Sequence, residues 1–563
     1  MNYVMTAMEQ ASDLILKAYH QAEAQGLLPS HPFDSAPVEV PKDIKNGDYA
    51  SSFAMQAAKK LGMPPRKIAE ALCANVSLEG TLFASCEIAG PGFINLRLSP
   101  VYFENVVKNI LEEKQHYGRT PAEKPEKIMV EFVSANPTGP MHMGNARGGV
   151  LGDSLAEVLS RAGNDVTREF YVNDAGNQIE KFAASLDCRY EQLIRGEDSR
   201  EFPEDGYHGD DIRELAKAFY EINGDRYLQA PEKERHDALV AFGLERNLIK
   251  MRADLEKYRI HYDNWFFEST LHNTHYVEET INLLTEKGAT YESEGALWLK
   301  TTDFGCEKDD VLRRANGFYT YFAADIAYHR EKFEKRGFDR VINIWGADHH
   351  GHVARLKAAL DALGLDGSNR LEIVLMQLVR LMRDGEVVRM SKRTGKAITL
   401  SDLLDEISCD AARYFFNSRA ADTHLEFDLG LAVREDSENP VYYVQYAHAR
   451  IKSILKNLAA EGVVPSAAPD LSLLRSEEEI ELIRELAKLP EEIRIAARDR
   501  EPARMNRYAT TVAAAFHRFY TVSPIKNAET EALRNARLAL CNSVATVIEN
   551  TLSTFGVTAP DHM

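Results

Sequence analysis

The sequence predicts a multidomain protein in which a parallel α/β domain is followed by an all-α domain. The chain has 563 residues, too many for a single hydrophobic core, so we expect three or four domains. Strand and helix patterns alternate in two stretches of the middle of the chain, which is typical of a parallel sheet. From Pro440 onward the pattern is helical almost throughout, which indicates a helical bundle.

Composition and charge narrow the classes of function. A chain that is 44% hydrophobic and 27% charged is an ordinary globular protein. No apolar run approaches the length of a membrane span and the first residues lack a secretion signal, so we expect a cytoplasmic protein. The net charge of −19 argues against a nonspecific nucleic-acid coat. From Pro440 to the end, fifteen Lys/Arg balance fifteen Asp/Glu, a weak indication of RNA contact there.

The first segment, residues 1–114, mixes helical and strand signals. Ala50 to Leu61 has the spacing of an amphipathic helix, and Phe93 to Leu98 alternates like a half-buried strand after a turn at Gly90 to Gly92. The polar stretch 115–127 is interpreted as a linker. The six cysteines form no CxxC pair, so we expect reduced, mostly buried thiols rather than a zinc or dithiol motif.

The α/β domain is expected over residues 128–430, with a charged helical insertion at about 188–259. Two halves of the domain each carry strands and helices in alternation, so a nucleotide is expected at the carboxyl edge of the strands. The expected strands are Ile128–Val133, Val166–Val172, Val341–Trp345 and Leu371–Val379, and the expected helices are Ala146–Ala162 and His350–Leu363.

The loop after the first strand, Ser134 to Gly149, contains His142 and Gly144 at the start of a helix. Free amides at a helix N-terminus favour anions, a His can donate to a phosphate, and a Gly lets a planar base approach the backbone. The chain has neither a GxGxxG fingerprint nor a GxxxxGK[S/T] loop, so a dinucleotide fold is not supported. Taken alone, the loop is more simply read as one whose His only caps the helix.

A second basic segment runs from Val388 to Lys396. Four basic residues lie within eight, with Ser, Thr and Gly between them, which suits the binding of polyphosphate. A loop that brings Lys392 to the departing pyrophosphate only in the transition state would lower the barrier. A solvated basic turn is the alternative.

Gly346 to His352 follows a predicted strand and holds three histidines and an Asp. This composition invites a metal site like that of manganese phosphoesterases, but the further Asp and His clusters that those enzymes need are not found, so no metal ligand is predicted. Asp348 could instead accept the hydroxyls of a ribose, while His349 or His352 contacts a substrate.

Tyr321 and Asp325 lie at i and i+4 and share a face of a predicted helix. Glu131 stands near the end of the first strand. Two carboxylates and a phenol that converge would match a planar guanidinium, whose paired N–H groups carboxylates accept. The alternatives are a solvent-facing Glu131 and an Asp325 that serves an ion pair within its helix.

Taken together, the two loops resemble the signatures of class I aminoacyl-tRNA synthetases. His142 to Asn145 resembles their His-x-Gly-His tetrapeptide with Asn145 in place of the second His, and Arg389 to Lys392 resembles Lys-Met-Ser-Lys with Arg389 in place of the first Lys. The resemblance implies ATP with Mg²⁺, no tightly bound protein-ligated metal, and a catalytic pair His142 and Lys392. The ATP-binding residues that it implies are His142, Gly144, Asn145, Gly346, Asp348, His352, Met390, Ser391 and Lys392.

Three longer segments narrow the resemblance to arginyl-tRNA synthetases of the bacterial type: Val130–Gly139, Tyr171–Gln178 and Asn439–Arg450. The similarity extends from Gly47 to the last residues. It implies ligation of L-arginine to tRNA through arginyl-adenylate, with activation that needs bound tRNA. The arginine-binding residues that it implies are Glu131, Ser134, Asn136, Tyr321, Asp325 and His349.

The same resemblance implies a domain plan: a tRNA-elbow-binding α+β domain at 1–114, a linker at 115–127, a Rossmann-like catalytic domain at 128–430 and a helical anticodon-binding domain at 431–563. Basic residues beside aromatic ones favour contact with unstacked RNA bases. We expect Tyr446, Arg504 and Tyr520 to bind tRNA, Phe516 and Phe519 to be core, and the protein to be a monomer. The remaining alternatives are a non-catalytic tRNA-binding paralogue and a small-molecule nucleotidyltransferase.

Overall fold

The computed structural model describes residues 1–388 and 398–563, and its N-terminal part packs helices on an antiparallel sheet. The elements are α1 (Tyr3–Ala24), β1 (Val38–Glu39), β2 (Tyr49–Ser51), α2 (Phe53–Leu61), α3 (Pro65–Asn75), β3 (Phe83–Ala89), β4 (Phe93–Leu98) and α4 (Pro100–Glu113). The order of the strands across the sheet is β1-β2-β4-β3. The apolar faces of α1, α2 and α3 cover this sheet, with Ile15, Phe53 and Ile94 among the buried residues.

The middle of the chain is built on a parallel sheet, as the sequence predicts. Within the described residues the sheet has five strands: β5 (Lys127–Glu131), β6 (Asp165–Val172), β7 (Asn264–Phe267), β11 (Arg340–Gly346) and β12 (Leu371–Met376). Their order across the sheet is β12-β11-β5-β6-β7, and every neighbouring pair is parallel. The strand that comes first in the sequence, β5, is therefore central. The next strands, β6 and β7, lie on one side of it, and the later strands, β11 and β12, lie on the other side.

Helices and two smaller sheets surround the parallel sheet. The remaining elements of this part are α5 (Gly144–Arg161), α6 (Asn177–Arg195), α7 (Asp210–Asn223), α8 (Glu232–Lys257), α9 (Ser269–Asn273), α10 (Tyr276–Glu286), β8 (Thr290–Ser293), β9 (Ala296–Leu299), β10 (Asp310–Arg313), α11 (Tyr321–Arg330), α12 (His350–Leu363), α13 (Gly367–Arg370), β13 (Val379–Arg383), β14 (Glu386–Val387), α14 (Leu400–Glu406), α15 (Cys409–Phe416), β15 (Leu425–Asp428) and α16 (Leu429–Ala432). Helix α5 lies directly on the sheet because Gly152 has no side chain: a Cβ there would lie 2.1 Å from the Phe132 ring.

The C-terminal part is a helical bundle, again as predicted. It comprises α17 (Pro440–Ala460), α18 (Glu477–Ala487), α19 (Leu489–Asp499), α20 (Ala503–Val522) and α21 (Glu531–Ser553). Phe516 and Phe519 are fully buried in it, which confirms their expected place in the core. Among the described residues, no helix is both long and apolar enough to cross a membrane.

Two expected elements are wrong in their extent. The predicted helix from Ala50 begins only at Phe53, because Ala50 pairs with Asn95 in the antiparallel sheet. The predicted strand Leu371–Val379 is two strands in different sheets: the Gln377 N–H donates to the Ala421 carbonyl and Val379 pairs with Leu425. Tertiary pairing therefore overrides the local pattern at both places.

The stretch 115–127 is anchored at Tyr117. This side chain is 1% exposed, and its hydroxyl donates to the Leu486 carbonyl in the C-terminal bundle at 3.0 Å. Asn550 of the same bundle donates to the Tyr117 carbonyl at 3.0 Å. The segment that joins the N-terminal part to the parallel-sheet part is thus fixed to the C-terminal bundle.

Candidate active site

The sheet order defines a crevice at the carboxyl ends of β5 and β11. In an open parallel sheet, ligands bind where the strand order reverses, because the loops that follow the two strands diverge there. Here that point lies between β5 and β11. The loop after β5 begins at Phe132 and the loop after β11 begins at Ala347, so both predicted nucleotide loops open onto this crevice.

The His142 loop pairs with the chain that follows the basic segment. His142 and Thr399 form an antiparallel bridge, the Met143 N–H donates to the Ile398 carbonyl at 3.0 Å, and the Leu400 N–H donates to the Met141 carbonyl at 3.0 Å. Residues 389–397, with the predicted Met390, Ser391 and Lys392, lie outside the described residues. The chain that leaves this segment at Ile398 is nevertheless fixed beside the His142 loop.

His142 is exposed at the start of α5 and has a defined orientation. The Gly144 N–H donates to His142 Nδ1 at 3.0 Å, so in the neutral ring the proton lies on Nε2. Nε2 is therefore the nitrogen that can donate to an anion. The expectation of free amides here is wrong, because the N–H groups of Met143, Gly144, Asn145 and Ala146 all have partners.

The backbone directly after β5 is strained. Val133 and Ser134 both have positive φ, at 68° and 43°, and the Ser134 N–H donates to the Phe132 carbonyl at 3.0 Å in a γ-turn. A β-branched residue at positive φ is disfavoured by about 1–3 kcal/mol and persists only where the surroundings hold it. Ser134 Oγ provides this restraint: it donates to Glu131 at 3.0 Å and accepts from the Tyr171 N–H at 3.1 Å.

Glu131 is buried and paired with a lysine. Its side chain is 8% exposed, and its Oε2 accepts from Lys332 Nζ at 2.6 Å. Lys332 is fully buried in a π-helical turn, Glu331–Lys335, that extends α11, and its ammonium lies 3.9 Å from the centre of the Tyr328 ring. The solvent-facing alternative for Glu131 is excluded by these contacts.

Asp325 stands across the crevice with a different partner. Its Oδ2 lies 2.7 Å from His352 Nε2, and the side chain is 33% exposed. Arg355 Nε donates to the other ring nitrogen of His352 at 2.6 Å. The two ring nitrogens of His352 are thus bonded to Asp325 and Arg355. These contacts of His352 give no support to its predicted role in ATP binding.

Tyr321 and a carboxylate that sequence reasoning missed complete this region. Tyr321 is 50% exposed and faces Gly176. The Tyr171 hydroxyl donates to Glu268 Oε2 at 2.7 Å, and Glu268 is 4% exposed. Burial and the negative charges of Glu268, Asp325 and Glu131 raise the pKa of Tyr171, whose ring also packs 4.5 Å from the ring of Tyr328 on α11, the helix that carries Asp325. Glu268 directly follows β7, so its position at a strand's carboxyl end was the available signal.

The remaining predicted positions are more open. Asp348 and His349 lie in a 3₁₀ turn after β11, with side chains 82% and 61% exposed, and Asn136 is exposed in the β5 loop. Gly346 is the last residue of β11 and directly precedes this turn. This segment forms no group of potential metal ligands among the described residues. The group of potential metal ligands that is found among the described residues lies elsewhere, at Asp187, and this carboxylate is already paired with Arg200 and Arg235.

The predicted tRNA contacts lie at two separate places on the bundle. Tyr446 is 38% exposed, and Arg450 bridges it to Tyr520: Nη1 donates to the Tyr446 hydroxyl at 2.7 Å and the guanidinium lies 4.4 Å from the Tyr520 ring. Arg504 lies about 24 Å from Tyr520 along α20 and is paired with Glu492. Four further arginines of the bundle are also paired with carboxylates: Arg494, Arg498, Arg500 and Arg507.

Comparison with protein families gives three matches along the chain. The model described as "tRNA synthetases class I (R), catalytic domain" matches residues 106–428. "Arginyl tRNA synthetase N terminal domain" matches residues 9–98, and "DALR anticodon binding domain" matches residues 444–563.

Individual relatives cover the full length. The chain is 54% identical over 564 aligned positions to an arginine–tRNA ligase of Caldanaerobacter subterraneus, with 100% of both chains covered. It is 51% identical to that of Acetivibrio thermocellus, again with 100% of both covered. A solved structure described as a putative arginyl-tRNA synthetase from Campylobacter jejuni has 36% identity and a TM-score of 0.75, with 83% of this chain and 100% of that chain covered. The Thermus thermophilus arginyl-tRNA synthetase shares the fold at 22% identity and a TM-score of 0.75, over 99% of this chain and 100% of that chain.

Proposed function

The chain belongs to the arginyl-tRNA synthetase family and ligates L-arginine to its cognate tRNA with ATP, and we propose the following division of work among its residues. The reaction has two steps: arginine and ATP form arginyl-adenylate and pyrophosphate, and the arginyl group then passes to tRNA with release of AMP. No side-chain nucleophile is required, so positioning and electrostatic stabilisation carry the rate.

The substrate guanidinium lies between Asp325 and Tyr321, with Glu131 at the floor and Glu268 behind Tyr171. The observation that carries this proposal is a connected set of contacts at the switch point of the sheet. Ser134 joins Glu131 to the Tyr171 N–H, the Tyr171 hydroxyl donates to Glu268, and the Tyr171 ring packs 4.5 Å from the ring of Tyr328 on α11, the helix that carries Asp325. Asp325 is the most accessible of them and offers the bidentate acceptor that a guanidinium fits. Glu131 already accepts two hydrogen bonds, but each carboxylate oxygen has a second lone pair.

The α-amino and carboxylate groups of arginine lie toward the strained loop and the turn after β11. We assign these groups to Ser134, Asn136 and His349, because these residues follow the two strands that border the crevice. Asp348 and Gly346 then face the ribose of ATP. On the other side of the crevice, Gly144 and Asn145 lie along the adenosine part of ATP, at the N-terminus of α5.

Adenylate formation builds negative charge on the α-phosphate and the departing pyrophosphate. The carboxylate of arginine attacks the α-phosphorus, and the bond to the pyrophosphate oxygen breaks. His142 donates its Nε2–H toward the α-phosphate, and we assign Met390, Ser391 and Lys392, which lie outside the described residues, to the charge on the pyrophosphate. Mg²⁺ bound to ATP would supply neutralisation of part of the phosphate charge.

Transfer to tRNA uses the outer parts of the molecule. We place the anticodon on the surface formed by Tyr446, Arg450 and Tyr520, where the exposed Tyr446 ring and the half-buried Tyr520 ring can stack on unpaired bases, and the tRNA elbow on residues 1–114. Arg504 is a weaker candidate because Glu492 already holds it. The domain boundaries at 114, 127 and 430, a monomeric state and a cytoplasmic location belong to the same proposal.

Charging assays test this function directly. Radiolabelled amino acids are offered one at a time with ATP, Mg²⁺ and total tRNA, and only arginine should be attached. Lys392→Ala should lower the rate constant of activation, measured as pyrophosphate exchange in the presence of tRNA, by about 100-fold while the KM for arginine changes little. Lys357→Ala, which removes a half-buried lysine of α12 that donates to the Ser368 carbonyl at 3.3 Å, is the matched control and should leave both values unchanged.

Two outcomes would contradict the proposal. Tight binding of tRNA without attachment of any amino acid would indicate a non-catalytic tRNA-binding protein. A Lys392→Ala variant that raised only the KM for arginine would remove Lys392 from the transition state and place it in ground-state binding.

A further inference from the structure

Asp325 is one end of a hydrogen-bonded chain that runs from α11 through α12 to β10. Asp325 Oδ2 lies 2.7 Å from His352 Nε2, and Arg355 Nε lies 2.6 Å from His352 Nδ1. Arg355 Nη1 then donates to Asp310 Oδ1 at 2.8 Å. The side chains of His352 and Asp310 are only 14% and 11% exposed, so the protein rather than water supplies these partners.

The order of donors in this chain fixes the protonation state of His352. The Nε of an arginine always carries a hydrogen and has no lone pair to offer, so Arg355 can only donate to Nδ1. Nδ1 must therefore be unprotonated, and the single ring proton lies on Nε2, where it is donated to Asp325. An imidazolium would direct a second N–H at the N–H of Arg355 and bring two positive charges into contact.

Arg355 is held in this orientation by further contacts. Its guanidinium lies 4.9 Å from the centre of the Phe322 ring and is paired with Asp310. His352 is flanked by the Phe322 ring of α11 at 5.5 Å and the Trp345 ring of β11 at 5.5 Å.

The charged groups around His352 come from three elements. Asp325 lies on α11, Asp310 on β10 and Arg355 on α12 itself. His329 of α11 is also near, but its own burial holds its pKa well below the usual range, so it adds no positive charge. Arg355 is thus the cation that decides the protonation of His352.

We propose that Arg355 is a positioning residue for arginine specificity: it keeps His352 in the neutral Nε2–H form, so that Asp325 meets the substrate guanidinium as a full anion. The inference rests on the proposed role of Asp325. Without Arg355, an imidazolium can form against Asp325. That internal cation would compete with the substrate cation for the same carboxylate.

The test is the pH dependence of the KM for arginine in Arg355→Met, assayed with the full chain at saturating tRNA and ATP. Methionine keeps an unbranched stem against Phe322 but has no N–H, so His352 becomes free to take a second proton. The ratio of KM in the variant to KM in the wild type should rise about tenfold as the pH falls from about 8 to about 6. Arg370→Met removes an arginine stacked 4.5 Å from Phe333 outside the crevice and should give a ratio that does not depend on pH.

The double variant Arg355→Met/His352→Gln separates charge from packing. The amide nitrogen of glutamine can take the place of Nε2 and donate to Asp325 but cannot be protonated in this range, so the KM ratio should be independent of pH whatever its absolute value. A KM that rose equally at every pH in Arg355→Met would show a merely structural role and overturn the inference. A pH-dependent ratio that persisted in the double variant would overturn it as well.

A direct measurement on the wild type covers the case in which Arg355→Met does not fold. In protein labelled with ¹⁵N-histidine, the resonances assigned through His352→Asn should report an unprotonated Nδ1 and a protonated Nε2 at the pH of the charging assay. A doubly protonated ring at that pH would contradict the inference. Failure of the wild type to charge arginine at all would instead contradict the proposed function, so the two failures are distinguishable.

Discussion

Glu131 and Asp325 border the same crevice, yet the protein surrounds the two carboxylates differently. The Glu131 side chain is 8% exposed and paired with a fully buried ammonium, Lys332, at 2.6 Å. The Asp325 side chain is 33% exposed, and its partner is an imidazole that Arg355 keeps neutral. One carboxylate is neutralised inside the fold, and the other retains its charge at the surface of the pocket.

The difference separates a structural task from a recognition task. Glu131 and its partners hold the strained turn at Val133 and Ser134, because Ser134 Oγ is fixed by Glu131 and the Tyr171 N–H. Among the described residues, the side-chain partner of Asp325 is His352 and not a lysine or an arginine. The negative charge of Asp325 is therefore available to a substrate. Loss of the Glu131 pair should therefore damage the fold, and loss of Asp325 should damage arginine binding.

The largest effect is expected for Lys332→Met. The change leaves Glu131 buried without a cation, which should lower the free energy of unfolding by about 3–5 kcal/mol. Denaturant unfolding measures this value. The double variant Lys332→Met/Glu131→Gln removes both charges and should recover most of the loss, whereas a double variant as unstable as the single one would refute the pairing.

Asp325→Asn should do the opposite. Its free energy of unfolding should change little, but kcat/KM for arginine should fall by about 100-fold or more, since a charge-assisted bidentate contact becomes a neutral one. Aminoacylation kinetics at saturating tRNA measure this. If the variant kept wild-type kcat/KM, Asp325 would not be the carboxylate that recognises the guanidinium.

A smaller effect is expected for Glu268→Gln. Glutamine can still accept from the Tyr171 hydroxyl, so only the charge is lost, and the KM for arginine should rise about tenfold. Tyr171→Phe is the matched control: it removes the hydroxyl and leaves the charge of Glu268, so its KM should change less. Equal effects in both variants would assign the role to the hydrogen bond instead of the charge.

Ser134→Ala should have the smallest effect of the four. The Tyr171 N–H and one oxygen of Glu131 lose a partner, which should lower the free energy of unfolding by about 1–2 kcal/mol. The KM for arginine should rise only a few-fold. A loss of stability as large as that of Lys332→Met would mean that the hydroxyl, not the ammonium, is the main anchor of Glu131.

The sequence predicts the strands and helices of the parallel-sheet part well, because the period of the hydrophobic residues and the alternation of strand and helix along the chain indicate them. The strand at β5, the helix at α5 and the helix His350–Leu363 all occur close to their expected bounds. Tyr321 and Asp325 could be placed on one face because i and i+4 spacing is local. The family model then supports the class I catalytic domain over residues 106–428.

The partners of the site residues could not be predicted, because they come from distant parts of the chain. Lys332 lies 201 positions from Glu131, and Glu268 lies 97 positions from Tyr171. Periodicity carries no information about which buried lysine meets which carboxylate. The arginines of the bundle show the same limit. They recur in the sequence like a basic surface, but in the structure Arg494, Arg500 and Arg507 are each paired with a carboxylate.

The central claim is that a full negative charge at Asp325 selects arginine, and a comparison of arginine with citrulline tests it most directly. Citrulline has nearly the same shape but a neutral urea group in place of the guanidinium. Aminoacylation of tRNA by the wild type should proceed with arginine and be at least about 1,000-fold slower with citrulline in kcat/KM, because the charged carboxylate of Asp325 would face a neutral group. Charging of citrulline at a rate comparable with arginine would contradict the account.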